Sequence, residues 1–419
     1  MTPERIRIES ELHTGRQPGR GLFYLDDCVE RLEALRGEFA GKIKLIYMDP
    51  PYLTGDRFYM RVRVGQQGWE KRQSAMQVVS FIDPRDRGQY LAFMRRVLEL
   101  CKALLSDEGM IFVHVDWRLN PHLRLLMDEL FGEENFLNEI IWVYQTGGRS
   151  VRHFSRKHDV ILFYRKTERY DFNIDAVKAV PDKPRSNHMK RHVDPDGRTY
   201  RTIRVGGKEY AYYDDDPVAP SDVWTDLSHL QQKDPERTGY DTQKPLSLLD
   251  RVVRCASREG DWVLDPFAGS STTLEAARRN GRNFIGIDSQ PVTVNILRRR
   301  LNGAHYAIRG MDNGGDVVPV CEVDSFIGVG FYHVILRRFE VPVPGLPEDA
   351  QPMDCVDNWS VGYLREDGYE VMSDFVRTRR HAALRDELVV PMFAGTLAVC
   401  VSDVLGRSWY FRVADFGDK

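Results

Sequence analysis

Two short strings in this chain have residue types and spacing that could do chemistry. Asp49-Pro50-Pro51-Tyr52 follows directly on the apolar run 43–48, IKLIYM. Proline fixes φ and has no N–H, so two in succession leave the carbonyls of Asp49 and Pro50 as outward-pointing acceptors at the end of that run. A carboxylate, a carbonyl and an aromatic ring within four residues form a socket for a flat ring bearing an NH2 group. The second string is DPFAGSST, residues 265–272. Gly269 lets the turn bend tightly, and a helix start behind it offers backbone N–H groups to a polar ligand. Asp288 closes the next apolar run, NFIGID, where a carboxylate can accept hydrogen bonds from ribose hydroxyls. Phe267 and Ala268 occupy positions that a pyrophosphate loop of the G-x-G-x-x-G type would leave open. A nucleoside without phosphates is therefore the better match. Alone, each string also reads as an ordinary turn, one closed by a tyrosine and the other by a capping aspartate. Their joint presence is what favours chemistry.

The elements that must position these strings are an alternation of strands and helices. IKLIYM reads as a strand largely buried in a sheet. Leu91, Met94, Val97, Leu98, Cys101, Leu104 and Leu105 recur at helical spacing, which predicts a helix over 86–105 broken at Asp107-Glu108-Gly109. MIFVHV, 110–115, predicts a second buried strand. Asn120 then stands as an expected N-cap, with Pro121 at the first helical position. Beyond IIWVYQ and DVILFYRK the periodicity fades, and 170–222 reads as an inserted, loop-rich region. Order returns with an expected helix over 245–258, a strand WVLD, a helix from near Ser270, the strand NFIGID, and a helix up to about Leu301. VPVPGLPED, 341–349, marks a boundary or long loop within a C-terminal stretch of mixed short β and α patterns. The expectation is an α/β fold with a mostly parallel sheet.

Composition limits the classes open to the chain. Its 419 residues can bury a full core, and 42% hydrophobic content excludes disorder as a description of the whole. The uncharged stretch 388–402 is short and interrupted by Pro391, and the charged N-terminus has no apolar signal region, so a cytoplasmic protein without membrane association is expected. Six cysteines with no C-x-x-C pair argue against a zinc site and a disulfide framework; no metal is expected. The net charge of −3 conceals an asymmetry: residues 141–210 carry 16 Lys+Arg against 8 Asp+Glu, and residues 311–419 carry 10 against 18. A basic middle and an acidic end imply surfaces facing different partners.

The two strings resemble those of a known family, the S-adenosylmethionine-dependent, amino-directed DNA methyltransferases. DPPY is similar to the family's catalytic tetrapeptide and DPFAGSST to its cofactor loop, which usually ends G-S-G-T where this chain has Ser271. TGYDTQKPLSLLDRVV, 238–253, resembles the segment preceding that loop. LFYLDDCVERL, 22–32, resembles the one before the catalytic strand, with Asp26-Asp27 where G-D is usual. LLSDEGMIFVHVDW and its continuation to Trp142 are also close to the pattern. The resemblance covers roughly residues 20–302. The tetrapeptide precedes the cofactor loop, which is the permuted, β-type order and is shared with the modification subunits of type III restriction systems. DNWSVGY, 357–363, and VSDVLGRSWYFRV, 401–413, are similar to the C-terminal appendage of those subunits.

The resemblance implies a Rossmann-like methyltransferase fold in four parts. Residues 1–145 are the first half of the catalytic domain, 146–235 the target-recognition region, 236–305 the cofactor half and 306–419 a small α+β accessory domain. It implies S-adenosylmethionine as cofactor, with Phe267, Ala268, Gly269, Ser270, Thr272, Asp265, Asp288, Asp27, Asp49, Lys244 and Pro245 around it. Phe267 and Gly269 are expected beside the methionine portion, Asp288 on the ribose, and Lys244-Pro245 near the carboxylate end. Catalysis is expected from Asp49, Pro50, Pro51 and Tyr52. The carboxylate and the Pro50 carbonyl would accept the two hydrogens of an exocyclic amine, and Tyr52 would stack on a flipped-out base. Arg149, Arg152, Arg156 and Lys157 are the expected phosphate contacts on double-stranded DNA. A homodimer and a restriction subunit are further implied partners. Aspartate at the first tetrapeptide position resembles the adenine-N6 members, so adenine N6 is expected and cytosine N4 is the alternative. The chain contains no Pro-Cys dipeptide, which disfavours chemistry at cytosine C5. A nicotinamide dehydrogenase and a non-catalytic DNA-binding relative are the rival readings.

Overall fold

The structure, a computed structural model, describes residues 2–15, 19–71, 75–144, 150–180, 189–311 and 313–413. At its centre six parallel strands lie side by side in the order Tyr306–Arg309, Gly21–Leu25, Asn283–Asp288, Trp262–Asp265, Ile43–Met48 and Leu105–Val115. Alternation along these strands feeds two separate cores. Leu45, Tyr47, Met110 and Phe112 face one side with the helices Leu246–Ala256, Thr272–Arg279 and Val292–Arg300. Ile46, Met48, Ile111 and Val113 face the other with the helices Cys28–Phe39, Arg87–Leu104 and Asn120–Phe131. Helices cover both faces, as a parallel sheet requires. This is the expected Rossmann-like architecture.

The parallel core is continued by antiparallel strands on both flanks. His158–Arg165 pairs with Leu105–Val115, and Phe136–Val143 pairs with His158–Arg165. Two antiparallel steps return Phe136–Val143 to the direction of the core strands, so the connection after Val143 leaves at the same edge as Asp49. On the opposite flank Ser10–His13 pairs antiparallel with Tyr306–Arg309, and the C-terminal strands Gly368–Val376, Val356–Arg365, Leu397–Asp403 and Ser408–Arg412 extend the same sheet. A second sheet, Val320–Ile327, Phe331–Glu340 and Glu387–Pro391, packs against them around Trp359 and Trp409. Arg298 fastens this part to the core: its guanidinium donates to Glu11, Asn358 and Ser402, and Glu11 also accepts from the Tyr410 hydroxyl.

Several expectations are corrected. The described C-terminal residues beyond 306 form strands and one 3-10 turn, Pro352–Cys355, where an α+β pattern is expected. Alternation is present in Val356–Arg365, where Trp359, Val361 and Tyr363 enter the core shared with the second sheet and Asn358, Ser360 and Gly362 lie on the other face, so the expected helical component has no counterpart there. Within 170–222, read as loop-rich, the strands Lys190–Val193, Thr199–Val205 and Lys208–Tyr213 form a separate small sheet. Most of its residues are partly or fully exposed, which removes the core signal that would mark a strand. Leu119, not Asn120, caps the helix Asn120–Phe131, and Thr272, not Ser270, opens the helix behind the glycine turn. Among the described residues, no helix is long and apolar enough to cross a membrane.

Candidate active site

Because neighbouring core strands are parallel, their carboxyl ends share one edge of the sheet. Four of them deliver Asp26-Asp27, Asp288, Asp265 and Asp49 to that edge. After Trp262–Asp265 the chain turns to a helix on one face, and after Ile43–Met48 it leads to a helix on the other. Divergent connections of this kind open a crevice between strand ends. Here the crevice is a cavity of about 270 Å³ lined by Asp27, Asp49, Pro50, Pro51, Tyr52, Lys244, Asp265, Phe267, Ala268, Gly269, Ser270, Thr272 and Asp288. Apart from Pro245, which caps the helix Leu246–Ala256 and does not line it, every expected catalytic and cofactor residue meets there.

The glycine turn is held by the acids beside it. Gly269, at φ +44°, donates its N–H to Asp288 at 2.8 Å, and Asp288 also accepts from the Gln290 amide. Asp265 accepts from the Phe267 amide at 3.0 Å and from the Thr273 hydroxyl, so its carboxylate shapes the turn from inside. Burial pushes Asp265 up to about 7 and Asp288 up to about 6. Asp27 caps the helix Cys28–Phe39 through the amides of Val29 and Glu30. Ser271 sits at φ +58° with its buried hydroxyl lacking a hydrogen-bond partner among the described residues. The departure from the G-S-G-T pattern thus falls on a left-handed position, where glycine is relaxed and serine is strained.

At the tetrapeptide, both carboxylate oxygens of Asp49 are engaged. The Tyr52 hydroxyl donates to one and the Lys244 ammonium to the other. Lys244 also reaches the Tyr52 hydroxyl at 3.2 Å and lies 5.5 Å from the centre of its ring. Lys244, expected at the carboxylate end of a cofactor, therefore sits at the junction of the two strings. Its main-chain carbonyl accepts from Thr272. Cys28 also lines the cavity, and burial raises its thiol well above the ordinary range, which marks a packed side chain and not a nucleophile.

Residues the sequence reading missed complete the mouth. Phe58 and Phe81 stack at 4.6 Å on the hairpin formed by Arg57–Arg63 and Ala75–Ile82, and Ile82, 61% exposed, stands at its rim. Hairpin alternation after DPPY was the available signal. Beneath the tetrapeptide, Tyr47 pairs with His114 at 2.9 Å and His114 with Asp159 at 3.2 Å, a buried relay that spacing alone does not reveal.

Of the expected DNA contacts, Arg152, Arg156 and Lys157 do not line the cavity. Arg149 lies outside the described residues. Arg152 is exposed, Arg156 stacks over Trp117 at 3.9 Å, and the Lys157 carbonyl accepts from the Tyr144 amide. These three follow the strand Phe136–Val143, on the cavity's side of the sheet.

The cavity's chemistry suits a nucleoside bearing a cationic centre. Asp26 joins Asp27, Asp49, Asp265 and Asp288 in its lining, making five aspartates against one lysine, Phe267 packs edge-on to Phe93, and a Cβ at Gly269 would come within 3.2 Å of the Tyr240 ring. Residues 43–299 match a family model described as DNA methylase, the N6/N4 group. A type II methyltransferase of Enterobacter cloacae, M.EcaI, is 28% identical over 305 residues, 62% of this chain and 64% of that protein. The DNA adenine methyltransferase YhdJ of Escherichia coli K12 is 28% identical over 286 residues, covering 67% and 83%. A probable type III HindVI Mod subunit of Haemophilus influenzae is 32% identical over 433 residues, covering 74% and 55%. The chain thus spans just under two thirds of M.EcaI and about half of the HindVI subunit.

Proposed function

Since the chain belongs to the N6/N4 DNA methylase family, we propose that it methylates N6 of adenine in double-stranded DNA, using S-adenosylmethionine and a base flipped out of the helix. The observation that carries this reading is the convergence of Asp49–Tyr52 and the 265–272 turn in one cavity at adjacent strand ends.

The cofactor would supply an electrophilic methyl group on a sulfonium. Phe267 would flank it and Asp288 would accept from a ribose hydroxyl, since a carboxylate has acceptor sites beyond the two already used here. Lys244 would face its carboxylate. The rest is positioning by the chain. An exocyclic amine is a poor nucleophile because its lone pair is delocalised into the ring. Asp49 and the Pro50 carbonyl would take its two N–H groups and hold the lone pair toward the methyl. Asp49 has acceptor sites beyond the two that Tyr52 and Lys244 use, so the amine can join them there, and a Tyr52 ring released from Asp49 would be free to stack on the base.

Region 146–235 is proposed to read the target. Its small sheet supports this, because paired residues share a face and one face presents Val193, Ile203, Val205, Tyr210 and Tyr212 beside Arg191 and Lys208. That face mixes cations with aromatic rings and carries no carboxylate within its strands. Similarity to the HindVI Mod subunit supports a restriction subunit as a further partner.

The test is to incubate the protein with methyl-labelled S-adenosylmethionine and unmethylated DNA, digest to nucleosides and separate them. Label in N6-methyl-2′-deoxyadenosine is expected. Label in N4-methyl-2′-deoxycytidine would move the reading to the alternative amine, for which the same socket serves.

A further inference from the structure

The tetrapeptide is anchored at its start by the strand Ile43–Met48, but the residues after it leave the sheet. What fixes its far end is a buried carboxylate 31 residues downstream. Asp83, 2% exposed, accepts from the Tyr52 amide at 3.0 Å through one oxygen. Its other oxygen accepts from the Thr54 amide at 2.8 Å and the Thr54 hydroxyl at 2.6 Å. Between those two amides stands Leu53 at φ +57°, one of two non-glycine residues with positive φ among the described residues. Leucine does not adopt that conformation unaided, and a left-handed non-glycine residue persists only where its surroundings hold it. The amides on both sides of Leu53 converge on Asp83, so one carboxylate imposes the conformation. Asp83 itself is fixed, since its own N–H donates to the Asp56 carbonyl and the Thr54 hydroxyl accepts from the Asp56 amide.

We infer that Asp83 is a positioning residue for methyl transfer: by holding Leu53 left-handed it sets the Tyr52 backbone, and with it the aim of the ring and of Asp49 at the target amine. The inference rests on the methyltransferase reading but concerns a residue outside both strings. It touches neither base nor cofactor, and acts through Tyr52.

The first measurement is wild-type methyl transfer to unmethylated DNA. Inactive wild-type protein would defeat the underlying reading, whereas an active wild type allows the variants to test Asp83 alone. Asp83→Asn keeps the shape but puts an NH2 group against an N–H donor. It is expected to lower kcat about 100-fold, with S-adenosylmethionine affinity and DNA KM within about threefold of wild type. Thr54→Val, which removes a single hydroxyl, is expected to lower kcat only about threefold. The decisive variant is Asp83→Asn with Leu53→Asn, because asparagine enters the left-handed region readily. The double variant is expected to recover at least about tenfold in kcat over Asp83→Asn. Wild-type kcat in Asp83→Asn would overturn the inference. So would a failure of Leu53→Asn to recover activity, including the case where Asp83→Asn loses its fold, since rescue at residue 53 is what a merely structural role does not give.

Discussion

Gly269→Ala probes the glycine turn at its tightest point. Two costs can be worked from the geometry. At φ +44° an L-residue is strained by about 1–2 kcal/mol. The added methyl would stand 3.2 and 3.3 Å from two ring carbons of Tyr240, a side chain 7% exposed that cannot swing away, which adds about 1 kcal/mol of overpacking. The sum is about 2–3 kcal/mol. If the turn escapes the strain by shifting, it gives up the Gly269 N–H to Asp288 bond and displaces Phe267 from the cavity. At 1.4 kcal/mol per factor of ten, S-adenosylmethionine affinity should fall about 30- to 140-fold, read by titration calorimetry. Gly260→Ala is the control. That glycine has φ +83° with open space around the added methyl, so it should lose about 1–2 kcal/mol in a denaturant melt and keep its cofactor affinity. Affinity in Gly269→Ala within about twofold of wild type would refute the close approach of cofactor to this turn.

Ser271→Gly should stabilise the protein by about 1 kcal/mol in denaturant unfolding, because it removes left-handed strain and an unpaired buried hydroxyl at once. Asp49→Ala and Lys244→Met should be non-additive. The pair has side-chain exposures of 18% and 11%, so a double-mutant cycle on stability should give a coupling of at least about 1 kcal/mol, and additivity would break the link between the strings. The pH dependence has opposite signs for stability and binding. Burial raises Asp265 to about 7 and Asp288 to about 6 from an ordinary 3.8, so the folded state holds protons that the unfolded chain has released. Stability of the cofactor-free protein should decline as pH rises from about 4 through 7. Cofactor affinity should climb through pH 6 as Asp288 ionises and becomes the better ribose acceptor, which calorimetry at pH 5 to 8 would show.

The parts of the site legible in the sequence are those whose chemistry is local. Asp49-Pro50-Pro51-Tyr52 and Asp265 to Gly269 each carry their meaning within a few residues, and the apolar runs before them announce buried strands. Asp83 was not legible, because nothing around it in the chain distinguishes it from a loop acid until the hairpin folds it back onto Tyr52. The engagement of Lys244 with Asp49 spans 195 residues and exists only because the start of the helix Leu246–Ala256, tied to Thr272 through the Lys244 carbonyl, lies beside the end of the strand Ile43–Met48. The place of the C-terminal strands in the sheet is not legible for a related reason. Trp359, Val361 and Tyr363 alternate with Asn358, Ser360 and Gly362 and so mark Val356–Arg365 as a strand, but its continuity with the catalytic sheet, through Gly368–Val376 onto Ser10–His13, joins residues far apart in the chain and is not a property of any local pattern.

The most direct test of the account compares wild type and Asp49→Ala in parallel with methyl-labelled S-adenosylmethionine and DNA, measuring cofactor binding and label transfer in the same preparations. The shared cavity predicts that Asp49→Ala binds cofactor within about threefold of wild type and transfers label at least about 100-fold more slowly. Transfer by Asp49→Ala at the wild-type rate would contradict it.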